Sequence, residues 1–413
     1  MELDASPAGG LPRAASHAQS PARLSRRLVA VFAVAVGASV ANLYYVQPVL
    51  PTIRGEFHIS AGVAGLAVTW SQLGYMLGLA FILPLGDLLE RRRLVTGLAL
   101  GCAAALALAA GAPSVPLLFL ALALMGALSV VSHTLVPFVA TLAPDHERGR
   151  VIGTVMSGLL LGILLARTVS GLIASASSWR VVFLVAAAAM AGIALLLRLR
   201  LPRSRSEAGL GYGALLASLV EMVRNEPLLR RRMFYGVASM GSFSLLWTSV
   251  AFLLAGPPYH YRAATIGAFG LVGASGAIMA NVAGRQADRG RARGLTVFSA
   301  AAMTGSFVLL LFAKTSLVSL IVGIVILDGG AQAMQITNQS EIFQLRPDAR
   351  TRLNAVYMTA YFLGATGASA LSALLYELFG WDGVAAAGIG LGALALARAL
   401  HDARQPRPAA RPA

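Results

Sequence analysis

The second half of this 413-residue chain repeats the first at an offset of about 202 residues. Leu124-Met125-Gly126 falls on Leu327-Asp328-Gly329, Pro144-Asp145 on Pro347-Asp348, Gly162 on Gly364 and Trp179 on Trp381. Asp87 falls on Asp288, with arginines close behind both. One offset held between points so far apart marks a duplication. Parallel duplicated halves in a membrane place a binding site at their interface.

Hydrophobic residues make up 57% of the chain and charged residues 12%, and the mean hydropathy is +0.73, which excludes a water-soluble domain of this size. Apolar runs long enough to span a bilayer fall at about 28–50, 62–85, 94–112, 116–142, 151–175 and 179–200. Six more fall at about 231–255, 265–286, 295–313, 316–341, 353–376 and 383–400. The runs lack period-two alternation, and a backbone in lipid must satisfy its own hydrogen bonds, so each is expected to be a helix. The expected fold is an all-α integral membrane protein with twelve transmembrane helices in two six-helix pseudo-symmetric bundles.

The formal net charge of +16 is a topology signal rather than a nucleic-acid footprint, because about 28 of the 33 Arg and Lys residues lie in the termini and the even-numbered loops. The positive-inside rule then gives a multi-pass protein of the plasma (inner) membrane with both termini cytoplasmic, its basic loops facing an anionic leaflet. The expected divisions are a disordered N-terminus at 1–27, a first bundle at 28–200, a cytoplasmic linker at 201–230, a second bundle at 231–400 and a disordered tail at 401–413. No cleavable signal precedes the first helix, which is expected to be a permanent span. Residues Gly211 to Val223 suggest a short interfacial helix within the linker. Cys102, the single cysteine, sits in an apolar helix and is expected to serve packing.

With twelve helices in a six-plus-six repeat, the chain resembles the major facilitator superfamily from its first helix to its last. The specific part is the loop after helix 2, where Leu85-Gly86-Asp87-Leu88-Leu89-Glu90-Arg91-Arg92-Arg93 is similar to the family's Gly-x-Leu-x-Asp-Arg-x-Gly-Arg-Arg motif, with Leu83, Leu88 and Glu90 departing from it. Gly284-Arg285-Gln286-Ala287-Asp288-Arg289-Gly290-Arg291 is a second, shorter copy. The resemblance implies a gate: Asp87 against the N-terminus of helix 11, favoured by the helix dipole, with Arg91 or Arg92 reaching acidic groups, and Asp288 and Arg289 as the repeated pair. For Arg93 an ordinary topology anchor is the favoured reading. Tyr45-Val46-Gln47-Pro48-Val49-Leu50-Pro51-Thr52-Ile53 resembles the helix 1 ending of the family's drug:proton antiporters. The stretch from Gly162 to Gly171 has the small-residue spacing of their helix 5 motif, with Arg167 where that motif has proline. Such spacing also serves close helix packing on its own.

Two ionisable residues stand at mid-membrane, where an unpaired charge costs about 2.5–3.5 kcal/mol. At 1.5 Å per residue, Arg167 lies roughly 25 Å beyond Arg150 and Asp328 roughly 27 Å before Arg346. They are expected to meet as an ion pair across a cavity. Gln332, Gln335 and Gln339 follow Asp328 on one helix face, which reads as a cavity wall or a polar helix–helix seam. By the family resemblance, helices 1, 4, 7 and 10 line the cavity, which makes Asn42, Tyr45, Trp247, Asp328 and Gln332 candidate substrate contacts. Tyr357, on a helix 11 face with Asn354 and Tyr361, is a further candidate, and His133 on helix 4 is a candidate proton carrier. Under the repeat, Trp247 falls on Tyr44. Glu377 and Asp382 need no special role.

The expected function is secondary active transport of a small organic molecule by rocking of the two halves, coupled to protons through Asp328. Proton antiport with efflux leads, and proton-linked uptake of a small organic anion is the alternative. No nucleotide-binding loop is present, so ATP is not the expected energy source. A membrane-embedded transferase would need a reactive cluster, and Asp145-His146-Glu147 is the only dense one. The expected partners are the substrate, protons and the lipid bilayer, with no nucleic acid, no metal and no cofactor, and a monomer is expected.

Overall fold

The computed structural model describes residues 25–144, 147–202, 211–346 and 349–405. Of the stretches expected to be disordered, 1–27 and 401–413, residues 1–24 and 406–413 lie outside the described residues, as does the Asp145-His146 pair, while Arg26–Arg27 and His401–Arg404 are helical, a correction at both ends. Among the described residues, ten helices are long and apolar enough to cross a membrane. Nine are single spans: Ala61–Gly86 (span 2), Arg91–Ala110 (span 3), Val115–Leu142 (span 4), Arg148–Ala176 (span 5), Trp179–Arg200 (span 6), Pro227–Ala255 (span 7), Ala263–Ala287 (span 8), Ala292–Lys314 (span 9) and Leu317–Phe343 (span 10).

The tenth, Arg350–Arg404, holds spans 11 and 12, because the backbone breaks from helical geometry at Gly380, with φ 62° and ψ −152°. That is a conformation glycine adopts far more readily than other residues. Span 1 begins as the helix Arg26–Ala41 and continues through turns and the short 3-10 segment Gln47–Val49; beyond it, outside the span, follows the helix Leu50–Phe57, which carries the exposed Arg54 and Glu56. Pro48 and Pro51 explain the interruption, since each removes a backbone donor from the helix. Nine single spans, the two halves of the reversed helix and the interrupted first span make twelve.

Side-chain caps set the starts of spans 2, 6 and 10. Ser60, Ser178 and Ser316 each accept a backbone N–H three residues on, from Val63, Val181 and Ser319. The duplication is visible in the packing. Trp179 opens span 6 and Trp381 opens span 12; both are buried, and their indole N–H groups donate to Glu56 Oε2 and to the Leu310 carbonyl. Hydropathy sets two boundaries differently from the structure: span 7 begins at Pro227 rather than 231, and the last helix runs through Arg404 rather than ending at 400. Asp402 explains the second difference, because it is buried and accepts a hydrogen bond from Tyr235 at 2.7 Å. A helix over Tyr212–Asn225 occupies the linker.

Both ends of the described chain lie at the face that carries the arginine-rich loops, called here the basic end; the opposite face is the far end. The periphery is apolar, with Val318, Leu199 and Ile278 each about two-thirds exposed. Such a surface suits lipid and not water. The two halves touch along the far end. Span 5 lies mainly against the first part of span 8, Ala263–Gly273. Span 2 lies against span 11. At the basic end the halves part around a cavity lined by Leu83, Arg91, His133 and Thr134 on one side and Thr351 and Arg352 on the other, with Leu215 of the linker helix at its edge.

Candidate functional site

Arg167 and Asp328 come together at the centre of the molecule, although among the described residues no ion pair joins them. Trp247 of span 7 stands between. The Arg167 guanidinium lies over the indole, its Cζ 3.8 Å from the ring centroid, while the indole N–H donates to Asp328 Oδ1 at 3.2 Å. The expectation of a direct pair is corrected: one side chain couples the two charges, through its face and its edge. Cation and acid are 3% and 4% exposed, so each interaction counts for more than at a surface; a desolvated cation–π contact is worth about 2 kcal/mol or more.

Three further groups hold Arg167. Tyr44 and Phe243 place their rings 4.6 and 5.4 Å from its Cζ. Gln47 accepts from its Nε at 2.6 Å. Tyr44 and Gln47 sit where span 1 has left α-helical geometry. Tyr44 and Trp247 occupy matching positions in the two copies, so the guanidinium is gripped by the same position twice, once from each half. The guanidinium Nη2 is buried and has no acceptor.

The floor of the site is a run of glycines on span 8. A methyl group at Gly267 would collide with the Arg167 carbonyl, at Gly270 it would stand 2.8 Å from Arg167 Cβ, at Gly273 2.6 Å from Asp328 Oδ2, and at Gly276 2.9 Å from Gln332 Cγ. Residues 269–273 form a 3-10 segment, in which positions three apart eclipse. That geometry lines up a Gly-x-x-Gly repeat beneath both charges. The repeat is legible in the sequence as Gly267, Gly270, Gly273 and Gly276.

Several predicted site residues lie elsewhere. Asn42 points into its own half and donates to Cys102 Sγ and Ser129 Oγ, both at 3.3 Å. Tyr45 packs against that same core, and its carbonyl accepts from Ser170 Oγ. Tyr44, one position earlier, takes the place expected of Tyr45, because the chain unwinds after Ala41 and shifts the phase of the face. Tyr357 is fully buried in the second half, its hydroxyl accepting from Asn338 Nδ2. Gln332 borders the site through Gly276, but Gln335 accepts from Tyr361 and Gln339 donates to Asn354. The lower part of that stripe is a polar seam with span 11. His133 lines the basic-end cavity, its ring 5.9 Å from that of Tyr75, and is not part of the Arg167 cluster.

Of the expected gate, Arg91 donates to Thr141 Oγ1 and lies over Phe138, and Arg92 donates to the Leu201 carbonyl, so both engage their own half. Arg289 is exposed. The side chains of Asp87 and Asp288 lie outside the described atoms. In the stretch from Gly162 to Gly171, Gly162 packs on the Gly37 backbone of span 1, and Gly171 packs across the halves on Ala263 of span 8. The small-residue spacing there serves close approach.

A second buried arginine was missed. Arg232, 4% exposed, donates to Thr296, Asn338 and Glu341 within the second half. Arg230, Arg231 and Arg232 follow one another near the start of span 7, and only packing separates the buried third from the exposed first and the half-buried second.

Two halves of six spans, a sealed far end, an open basic end and buried charges at the centre define a membrane transporter. The chain belongs to the Major Facilitator Superfamily, which residues 30–366 match. It is 46% identical to the uncharacterized transporter YgaY of Escherichia coli O157:H7, over 88% of this chain and 93% of that one. It is 26% identical to the chloramphenicol resistance protein of Streptomyces lividans, over 65% of this chain and 68% of that one. Among solved structures, a bacterial homologue of the human lysosomal transporter Spinster, in an inward-facing and occupied conformation, superposes with a TM-score of 0.74 at 13% identity, covering 92% of this chain and 96% of that one.

Proposed function

We propose that this transporter is a proton-coupled secondary carrier of a small organic molecule, with the Arg167–Trp247–Asp328 assembly as its substrate and proton site. The observation that carries this reading is the buried Asp328 carboxylate, held by a single indole N–H and opposite a cation that touches the same ring. Taking up a proton removes the charge that Trp247 donates to and leaves Arg167 without its counter-charge. A proton bound there therefore changes what the centre attracts. A proton crossing a potential of roughly 100 mV supplies about 2.3 kcal/mol. The arginine distribution supports an inner-membrane protein with both termini cytoplasmic, and the open basic end then faces the cytoplasm.

Two directions compete. Export by proton antiport is supported by the Pro48–Pro51 ending of span 1 and by the name of the Streptomyces relative, since export is one way to confer resistance. Proton-linked uptake of an organic anion is supported by Arg167, a buried cation at the centre whose neighbouring acid can be neutralised. Purified protein in liposomes with an internal pH dye, challenged with organic acids, amines and neutral compounds, tests the coupling. The expected result is substrate-driven proton movement in the wild type and its loss in Asp328→Asn. Equal signals from both would remove Asp328 as the proton carrier.

A further inference from the structure

Arg167 is held at its Nε and across its faces, while no hydrogen bond joins either of its Nη nitrogens to a described residue. Its Nε is taken by Gln47 at 2.6 Å, and its faces are covered by Trp247, Tyr44 and Phe243. Its Nη2 is buried with no acceptor. Leaving a charged donor unmet in a buried site is unfavourable, and proteins keep such groups where a ligand completes them. Asp328 does not fill the role, because one oxygen accepts from Trp247 and the other faces Gly273.

Resting on the reading of this centre as the substrate site, we infer that the substrate is an organic monoanion, a carboxylate attached to a flat apolar body. The carboxylate accepts from Arg167 Nη2, a charge-assisted bond that a neutral amide cannot match. One guanidinium matches one negative charge. The body of the molecule lies against the rings of Tyr44, Phe243 and Trp247, which offer apolar faces and few hydrogen bonds.

This class also fixes how the proton moves. The anion binds when Asp328 is protonated, because an ionised Asp328 competes with it for the field of Arg167 and repels it. Proton and anion then enter and leave together. The loaded centre carries one added positive and one added negative charge, so the step moves no net charge across the membrane. Of the two directions, this is co-transport.

The test uses the full-length protein in detergent, with the unfolding midpoint measured against millimolar benzoate, cyclohexanecarboxylate, benzamide and benzylamine. Benzoate is expected to stabilise the wild type, the aliphatic acid less, and the amide and amine not at all. Arg167→Gln is expected to weaken benzoate binding at least tenfold, and Arg167→Lys, which keeps the charge but loses the fork, to weaken it less. Benzamide stabilising as well as benzoate, benzoate binding unchanged in Arg167→Gln, or no carboxylate binding the wild type would each overturn the inference. The amide comparison stands even if a variant fails to fold. In liposomes, benzoate entry is expected to follow an imposed pH gradient and to ignore an imposed potassium diffusion potential; a voltage-driven flux would overturn the co-transport step. Carboxylate binding with no proton movement in the wild type would leave the substrate class standing and remove the proton coupling instead.

Discussion

The two ends of the molecule are made of opposite kinds of side chain. At the far end, Thr69 of span 2 meets Ser369 of span 11 at 3.0 Å, a methyl at Gly65 would stand 2.9 Å from Ala373 Cβ, and the Gly62 N–H donates to Glu377 at 2.9 Å. Nearby, the Ala264 N–H donates to Ser175 across spans 5 and 8. At the basic end, Arg91, His133 and Arg352 border open space. Small residues bring two backbones into contact while ordering almost no side-chain freedom. Long charged chains suit an opening, because they stay solvated when it is wide. The contrast shows that closure here is a matter of shape, and opening a matter of hydration.

The largest expected effect follows from adding bulk to the sealed end. Gly171→Leu should hold spans 5 and 8 apart; overpacking costs about 1–3 kcal/mol, so transport should fall at least about tenfold with the fold intact. Spin labels at the exposed far-end positions Gly55 and Thr315 would report the separation, and an unchanged distance would refute the account. Next comes the centre. Trp247→Phe keeps a ring over Arg167 but removes the donor to Asp328, worth about 1.5–3 kcal/mol for a bond to a charged group; substrate-driven proton flux should drop up to roughly tenfold, and Trp247→Ala, losing both contacts, should bring it down toward the Gly171→Leu level.

Smaller still is Glu377→Ala. Its carboxylate meets the first turn of span 2 in a solvated setting, so about a two- to fivefold shift toward far-end opening is expected, read from the same pair of labels. No special role was expected of Glu377 from sequence, and this contact between the halves corrects that.

The smallest effect concerns a contact that does not cross between halves. Burial raises the Glu56 carboxyl, but hydrogen bonds from Arg180 and Trp179, with the charge of Arg180, outweigh it and hold the group below its ordinary value. A depressed carboxyl stabilises the fold above its unfolded pKa and loses that contribution as pH falls through the folded one. The unfolding midpoint of the wild type should therefore fall more than that of Glu56→Gln on acidification, with far-end distances unchanged until unfolding begins.

Much of the fold was legible. Twelve apolar runs, their duplication and the arginine asymmetry are properties of local sequence. The buried pair of charges was legible too, because Arg167 and Asp328 stand out against apolar neighbours. The side chains between and around them were not. Helical periodicity tells that Asn42 and Tyr45 share a face, but not whether that face meets a cavity or its own bundle. The unwinding of span 1 moved Tyr44 and Gln47 into the site through a change of phase that the two prolines hinted at without fixing. Arg232 looked like one more flanking charge, since burial there depends on Thr296, Asn338 and Glu341 arriving from distant spans.

Tyr44 and Trp247 are one position in two copies, and both lie against Arg167. The axis that relates the copies therefore runs close to the guanidinium. When two bodies rock about a line in the membrane plane through that same centre, points near it travel least and points far from it travel most. Arg167 can keep its aromatic surroundings through a cycle of access while Glu377 and Arg352, at opposite extremes, sweep the longest arcs. Distance from this one arginine becomes a scale of motion, on which every other side chain of the pathway can be ranked before any movement is measured.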